Sequence, residues 1–412
     1  MRQVQTGRRS SPRLAGMDGL RALACLTVMT AHTWDGTHVG GQFGSAWGRV
    51  APVATIGLVL FFSLSGFLLY RPFATAILAG EPLPSIRAYL RNRALRILPA
   101  YWVILGIAAA ASVFAQPGNQ NLGGGVPSAG VALLNVVLLQ SYTPHSNLTG
   151  IPPAWSLSVE IAFYLVLPLA VVAAAHAARR FHALRARAWV LCVPPALLWI
   201  MGVAGKLMAH RVFGYSTSQA TWAYVFENSF LAKADLFTWG MVAAVAVSFF
   251  DFRNISRRQK RLVGVVGWSL LPLADLANQT PLAALGCGLI LVWVMANFAG
   301  SARPSPAARI FTSPPMAFVG ACSYSIYLWH WPVILWLDRE GIVTSGAAGV
   351  FLNVALVAAI TIALSTATYR LVELPAMRRK APSTRGAIPA TVPAAPESPQ
   401  MALDAAADKA AP

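Results

Sequence analysis

Residues 17–32 read MDGLRALACLTVMTAH, and the fold follows from how that stretch is read. The segment is apolar, opens with an acid and an arginine (Asp18, Arg21) and closes on a histidine, His32. Arg21 and His32 are eleven positions apart. At 3.6 residues per turn, eleven steps return to nearly the same helix face, about 16 Å further along the axis. Asp18, Arg21, Cys25, Met29 and His32 therefore share one stripe. A charge inside a bilayer is costly and faces a protein interior or a wet cavity. The stripe predicts a helix that aims an arginine at one end of an internal cavity and a histidine at the other. The plainer alternative, a snorkelling Arg21 and an interfacial His32, is weakened by both lying on one stripe beside Asp18.

Outward from this helix the chain stays apolar. Of 412 residues, 56% are hydrophobic and 11% charged, against about 25% charged in a soluble domain. Eleven apolar segments can be drawn, near 18–34, 53–70, 97–115, 129–142, 155–176, 189–209, 226–249, 262–276, 282–299, 315–337 and 346–369. An all-α, polytopic membrane protein is expected. The basic head, Arg2 to Arg13, runs straight into a charged transmembrane helix, without the small-residue site of a cleaved signal peptide.

The net charge of +18 is not a nucleic-acid footprint, because alternate loops hold 26 of the 32 basic residues and the intervening loops only Arg49, Arg211 and Arg339. That division is the positive-inside signature. It places both termini in the cytoplasm and requires an even number of crossings. Segment 129–142 has 14 residues, too few for a bilayer core of about 30 Å. It is expected to be re-entrant or to lie at the outer surface, which leaves ten transmembrane helices. The expected domains are a cytoplasmic head (1–17), a membrane domain (18–375) and a disordered Ala/Pro-rich cytoplasmic tail (376–412), with no soluble domain attached. Cys25, Cys192, Cys287 and Cys322 sit in apolar segments without CxxC or zinc spacing, so buried free thiols and no metal site are expected.

Four further stretches carry candidate chemistry. In FFSLSGFLLYRPF (61–73), Ser65 and Gly66 permit close helix approach, and Ser65 could also donate into the cavity. In YLRNRALRILPAYW (89–102), Arg93 and Arg96 are i,i+3 neighbours flanked by Arg91. Three guanidinium groups at a cytoplasmic entrance suit phosphate, and plain positive-inside anchoring is the alternative. IPPAWSLSVEIAFYLVLP (151–168) enters from outside, with Trp155 at its start and Ser156, Glu160 and Tyr164 on one face. Glu160 is a buried carboxylate at a depth similar to His32, either a site group or half of a structural ion pair. Lys233 with Asp235, and Tyr324, Tyr327 and His330 in CSYSIYLWHWPV (322–333), read as paired structural charge and aromatic packing.

These stretches together resemble the acyltransferase family 3 membrane proteins. The Arg-x10-His opening, FFSLSGFLL, RALRILPAYW, WSLSVEIAFYLVLP, SYSIYLWHWPV and YRLVELP stand in the family's order over roughly residues 14–380. The resemblance implies a ten-helix O-acyltransferase of the plasma membrane. Such a protein takes an acyl group, acetyl by default, from cytoplasmic acyl-CoA and places it on a hydroxyl of a glycan or secondary metabolite. It implies that Arg21 and His32 are the essential pair, Arg93 and Arg96 the CoA-side arginines and Glu160 a site carboxylate. Some relatives carry an extracytoplasmic hydrolase-like domain, and without one no relay to cell-wall polymer within one polypeptide is expected. Acyl-CoA is then a co-substrate rather than a bound cofactor. His32 is expected as the general base, since free imidazole, with a pKa of about 6.5, is largely neutral near pH 7. Glu160 is expected to orient it, as the third group of a triad does, and Arg21 to hold the donor or stabilise developing negative charge. A proton-coupled transporter would also use buried His, Glu and Arg, and a non-catalytic scaffold would tolerate loss of His32.

Overall fold

The computed structural model describes residues 14–36, 52–115, 128–214, 221–252, 255–277, 279–299, 304–344 and 346–380. Of the expected head (1–17) and Ala/Pro-rich tail (376–412), residues 1–13 and 381–412 lie outside the described residues. Among the described residues every element is helical except an isolated antiparallel bridge between Ala115 and Gly150. The long helices are α1 (Met17–Gly36), α2 (Pro52–Ala79) and α3 (Ile86–Ala110). After the short α4 (Ala129–Val136) come α5 (Trp155–Ala178) and α6 (Leu184–Met208). Two short pieces, α7 (Trp222–Glu227) and α8 (Phe230–Lys233), lead into α9 (Asp235–Phe249), α10 (Arg257–Leu276) and α11 (Thr280–Phe298). The last described helices are α12 (Pro306–Ile310), α13 (Pro314–Arg339), α14 (Gly346–Thr368) and α15 (Leu374–Arg378).

Local sequence sets where several helices begin. Ser85 Oγ accepts the Ala88 N–H at 3.3 Å and starts α3. Ser256 and Gln259 close a capping box at the start of α10, and proline opens α12 and α13. Each arrangement satisfies, or does without, a donor that the first helical turn leaves unpaired.

Six helices are long and apolar enough to cross a membrane, within residues 55–79, 86–110, 152–178, 184–213, 280–298 and 349–378. The chain is therefore a multi-pass membrane protein. The helices α1, α10 and α13 have 20, 20 and 26 residues, long enough at 1.5 Å per residue but diluted by polar and charged side chains. Segment 129–142 is broken. Helix α4 has eight residues, about 12 Å of rise. Leu138 then turns the chain at φ 59° into a single 3-10 turn, Gln140–Tyr142. One side of this segment buries Asn135, Gln140 and Ser141, and the other exposes Leu133 and Val137.

In the bundle, α1 runs along α13 and α2, and α9 packs on α2, α6 and α11. The spans in α2 and α11 are 61% buried, whereas that of α14 is 28% buried, so α2 and α11 are central and α14 faces lipid. Helices in lipid lack a hydrophobic force between them and associate through close packing of small residues. Gly66 of α2 lies against the Phe237 carbonyl of α9, and Gly240 of α9 against the Ser63 carbonyl of α2. A side chain at either glycine would drive the backbones apart.

One expected pairing is corrected here. Lys233 and Asp235 do not share a helix, because the chain breaks at Ala234 between α8 and α9. Asp235, 1% exposed, pairs instead with Lys206 of α6 at 2.5 Å, while the Lys233 ammonium lies 5.9 Å above the Trp155 ring. The four cysteines are free thiols, three of them buried and Cys192 half-buried.

Candidate active site

Helix α1 delivers Arg21 to the basic end of the bundle. Arg93 and Arg96, one turn apart on α3, meet it there. Together with Ser65 of α2, Glu160 of α5 and Tyr327 of α13 they line a cavity of about 100 Å³. The same three arginines also line a second recess of about 300 Å³ with Asp18, Tyr369 and Lys380. They therefore form the wall between the inner chamber and its mouth.

The cations are unevenly matched. Arg21 holds Asp18 at 2.9 Å, one turn back on α1. Arg96 pairs with Glu373 at 3.2 Å and lies 5.9 Å from the Tyr324 ring centroid. Glu373 ends the π-helix turn Tyr369–Glu373, a distortion that often marks functional sites, and accepts from Ser325 Oγ at 2.5 Å. The Nε of Arg93 is buried with no hydrogen-bond partner among the described residues. At the mouth, burial and then the charges of Arg93, Arg96 and Arg21 push the Lys380 ammonium down to about 8, with Glu373 pulling the other way. This cluster has spare positive charge and a buried, unused donor, the chemistry that takes up an anionic, phosphate-like group.

The other end of the α1 stripe holds a different arrangement. His32 Nδ1 lies 2.8 Å from His330 Nε2, the other ring nitrogen of His330 faces the Ile326 carbonyl at 3.3 Å, and the two rings lie within 14° of parallel with centroids 5.1 Å apart. These contacts set the hydrogen positions of the neutral pair. A carbonyl only accepts, so His330 Nδ1 carries the hydrogen and its Nε2 offers a lone pair. His32 Nδ1 must then be the donor, which leaves His32 Nε2 with a bare lone pair. The arrangement presents a neutral imidazole nitrogen that can accept a proton, held by an orienting partner.

Between chamber and histidines stands Tyr327. It lines the cavity, and its ring meets Phe61 edge-on at 5.6 Å and His330 at 5.7 Å. Its hydroxyl donates to the Pro153 carbonyl at 2.8 Å and lies 2.7 Å from Ser156 Oγ. Cys25 and Met29, midway along the α1 stripe, are buried with Cys322 and Ile326 of α13. The stripe thus has a wet basic end, a dry middle and a histidine end, rather than one continuous cavity.

Of the residues singled out in the sequence, Arg21, Ser65, Arg93, Arg96, Ser156 and Glu160 come together around one chamber, with Asp18 at its mouth. Arg91 is exposed, and Trp155 faces Lys233. Glu160 accepts a hydrogen bond from Ser65, and His330 fills the position beside His32 that the sequence reading gave to Glu160. The sequence reads His330 as aromatic packing and gives Glu373 and Lys380 no role, so these three are the site residues it misses. A histidine deep in an apolar helix is itself a signal, and His330 carries it as clearly as His32.

The model of the Acyltransferase domain family matches residues 14–370. The chain is 25% identical to a peptidoglycan O-acetyltransferase, OatA of Listeria monocytogenes, over 354 residues, 80% of this chain and 51% of the relative. It is 30% identical over 160 residues to the acyltransferase MdmB of Streptomyces mycarofaciens, covering 38% of this chain and 39% of that one. The chain thus spans about half the length of the relatives it matches along most of its own length, and no solved structure matches it. With the family model running through every helix that lines the chamber and the histidine pair, the chain belongs to the acyltransferase family 3 of membrane proteins.

Proposed function

We propose that the protein is an O-acyltransferase of the plasma membrane that moves an acyl group, acetyl by default, from acyl-CoA to a hydroxyl of a carbohydrate or glycosylated metabolite. The observation that carries this reading is the His32–His330 contact at 2.8 Å, which leaves His32 Nε2 as a base. That base takes the proton from the acceptor hydroxyl as the oxygen attacks the thioester carbonyl. The C–S bond then breaks, and the imidazolium returns its proton to the CoA thiolate. Arg93 and Arg96 hold the CoA phosphates, Lys380 adds charge at the mouth, and Arg21, on the same wall as the two α3 arginines, helps hold the donor. Tyr327 separates donor chamber from histidines and must turn aside, or let the acyl group past, for transfer.

In this reading ten helices cross the membrane, α9 and its lead-in with α1, α10 and α13 joining the six apolar spans. The basic end is cytoplasmic, a reading supported by the 26 basic residues of alternate loops, and segment 129–142 lies toward the outer face. The names of OatA and MdmB, a peptidoglycan O-acetyltransferase and an acyltransferase, fit a hydroxyl acceptor. The test supplies membranes with acetyl-CoA labelled in the acetyl group. Label appearing in an ester product supports the proposal; efflux of a solute with no acetyl-CoA consumed would make the protein a transporter instead.

A further inference from the structure

Away from the acyl-transfer site, the start of α10 and the end of α11 enclose a groove of about 1040 Å³. Its mouth is basic. Arg257, Lys260 and Arg261 all line it, at i, i+3 and i+4 on one helix face. Its walls are apolar and aromatic, with Val265, Trp268 and Pro272 of α10 facing Trp293 of α11. Gly264 shapes the floor: it has no side chain, and the Trp293 ring occupies the space one would need. The stacking of Trp268 on Phe311 at 6.0 Å fixes the aromatic wall.

The charge at this mouth is one-sided. Lys260 is 9% exposed, its stem packed along the groove, and none of the described residues lining the groove with it is acidic. Three cations on one helix face, with no counter-charge from the described walls, favour an anion from outside.

We propose that this groove binds one anionic phospholipid of the surrounding bilayer, its phosphate between Arg257, Lys260 and Arg261 and an acyl chain along Trp268 and Trp293. Basic pockets between helices on the cytoplasmic side suit such headgroups, and the apolar walls below the cations suit a chain that a soluble phosphate lacks. The proposal does not depend on the acyl-transfer reading, because the groove shares no lining residue with the chamber or its mouth.

The test is native mass spectrometry of the purified full chain in micelles holding equimolar dioleoyl phosphatidylglycerol and dioleoyl phosphatidylcholine. One retained phosphatidylglycerol is expected, favoured over phosphatidylcholine by about tenfold or more. In the triple variant Arg257→Gln, Lys260→Gln, Arg261→Gln the preference should fall to within about twofold. Val265→Trp, which fills the groove but keeps the cations, should lose the bound lipid while its helical circular dichroism stays as in the parent. Equal retention of the two lipids, or a preference that survives the triple variant, overturns the proposal. Displacement of the lipid by millimolar glycerol phosphate would also overturn it, since the site would then recognise a free anion.

Discussion

Replacing His330 by alanine removes the acceptor for the His32 Nδ1 hydrogen, the contact at 2.8 Å. Two consequences follow in energy. The hydrogen bond itself contributes about 0.5–1.5 kcal/mol. The hydrogen is also free to move to Nε2, so the imidazole no longer presents its lone pair toward the acceptor in every molecule. A loss of 1.4 kcal/mol is tenfold in rate, and the whole value of a general base is about 10² to 10⁴-fold. The expected fall in the chemical step for His330→Ala is therefore about 10- to 100-fold, smaller than for loss of His32. His330→Gln keeps an amide oxygen that can accept the Nδ1 hydrogen, and it should recover much of the loss. The assay is single-turnover transfer of labelled acetyl, with acetyl-CoA affinity measured alongside. A full rate in His330→Ala, or a glutamine variant as slow as alanine with both proteins well folded, would refute the orienting role.

Four more outcomes are expected. Arg93→Ala should weaken acyl-CoA binding about 10- to 100-fold, the cost of one or two charge-assisted hydrogen bonds, while thermal unfolding is unchanged, because Arg93 forms no ion pair among the described residues. Arg96→Ala should lower the unfolding temperature as well, since it strands the buried Glu373 carboxylate, and Arg96→Ala with Glu373→Gln should recover the stability but not the affinity. A bound phosphate next to Lys380, whose ammonium is held down to about 8, makes binding take up a proton above that pH. Donor affinity read by titration calorimetry should accordingly fall as pH rises through 8, and Lys380→Met should abolish the fall. Asp235→Ala removes the ion pair with Lys206, whose side chain is 30% exposed, and should destabilise the bundle by about 1.5–3 kcal/mol, the worth of a hydrogen bond between charged groups, measured by denaturation in detergent, whereas Asp235→Asn should cost less.

How far the sequence reaches can be seen residue by residue. Helical periodicity put Arg21 and His32 on one face and Arg93 beside Arg96, because spacing along a helix is fixed by 3.6 residues per turn. Loop charges ordered the segments, and shortness flagged 129–142. Periodicity states which face a side chain occupies but not which helix lies against that face. That gap hid the pairing of His32 with His330, 298 residues away, and let Glu160 stand in its place. For the same reason Asp235 was matched to Lys233, its neighbour in the chain, when its partner is Lys206 across a helix contact. The break at Ala234 and the π turn that aims Glu373 at Arg96 leave little trace in an apolar run, because in lipid tertiary packing decides where a helix is interrupted.

The central claim is that His32 Nε2 is the base of the transfer step. Single-turnover acetyl transfer by His32→Asn, beside the parent in the same membranes, tests it most directly. Asparagine keeps size and some hydrogen bonding but cannot take up the proton. The account predicts unchanged insertion and acetyl-CoA binding with transfer slowed about 10² to 10⁴-fold. Near-normal transfer by His32→Asn would contradict it and leave the histidine pair a structural contact between α1 and α13.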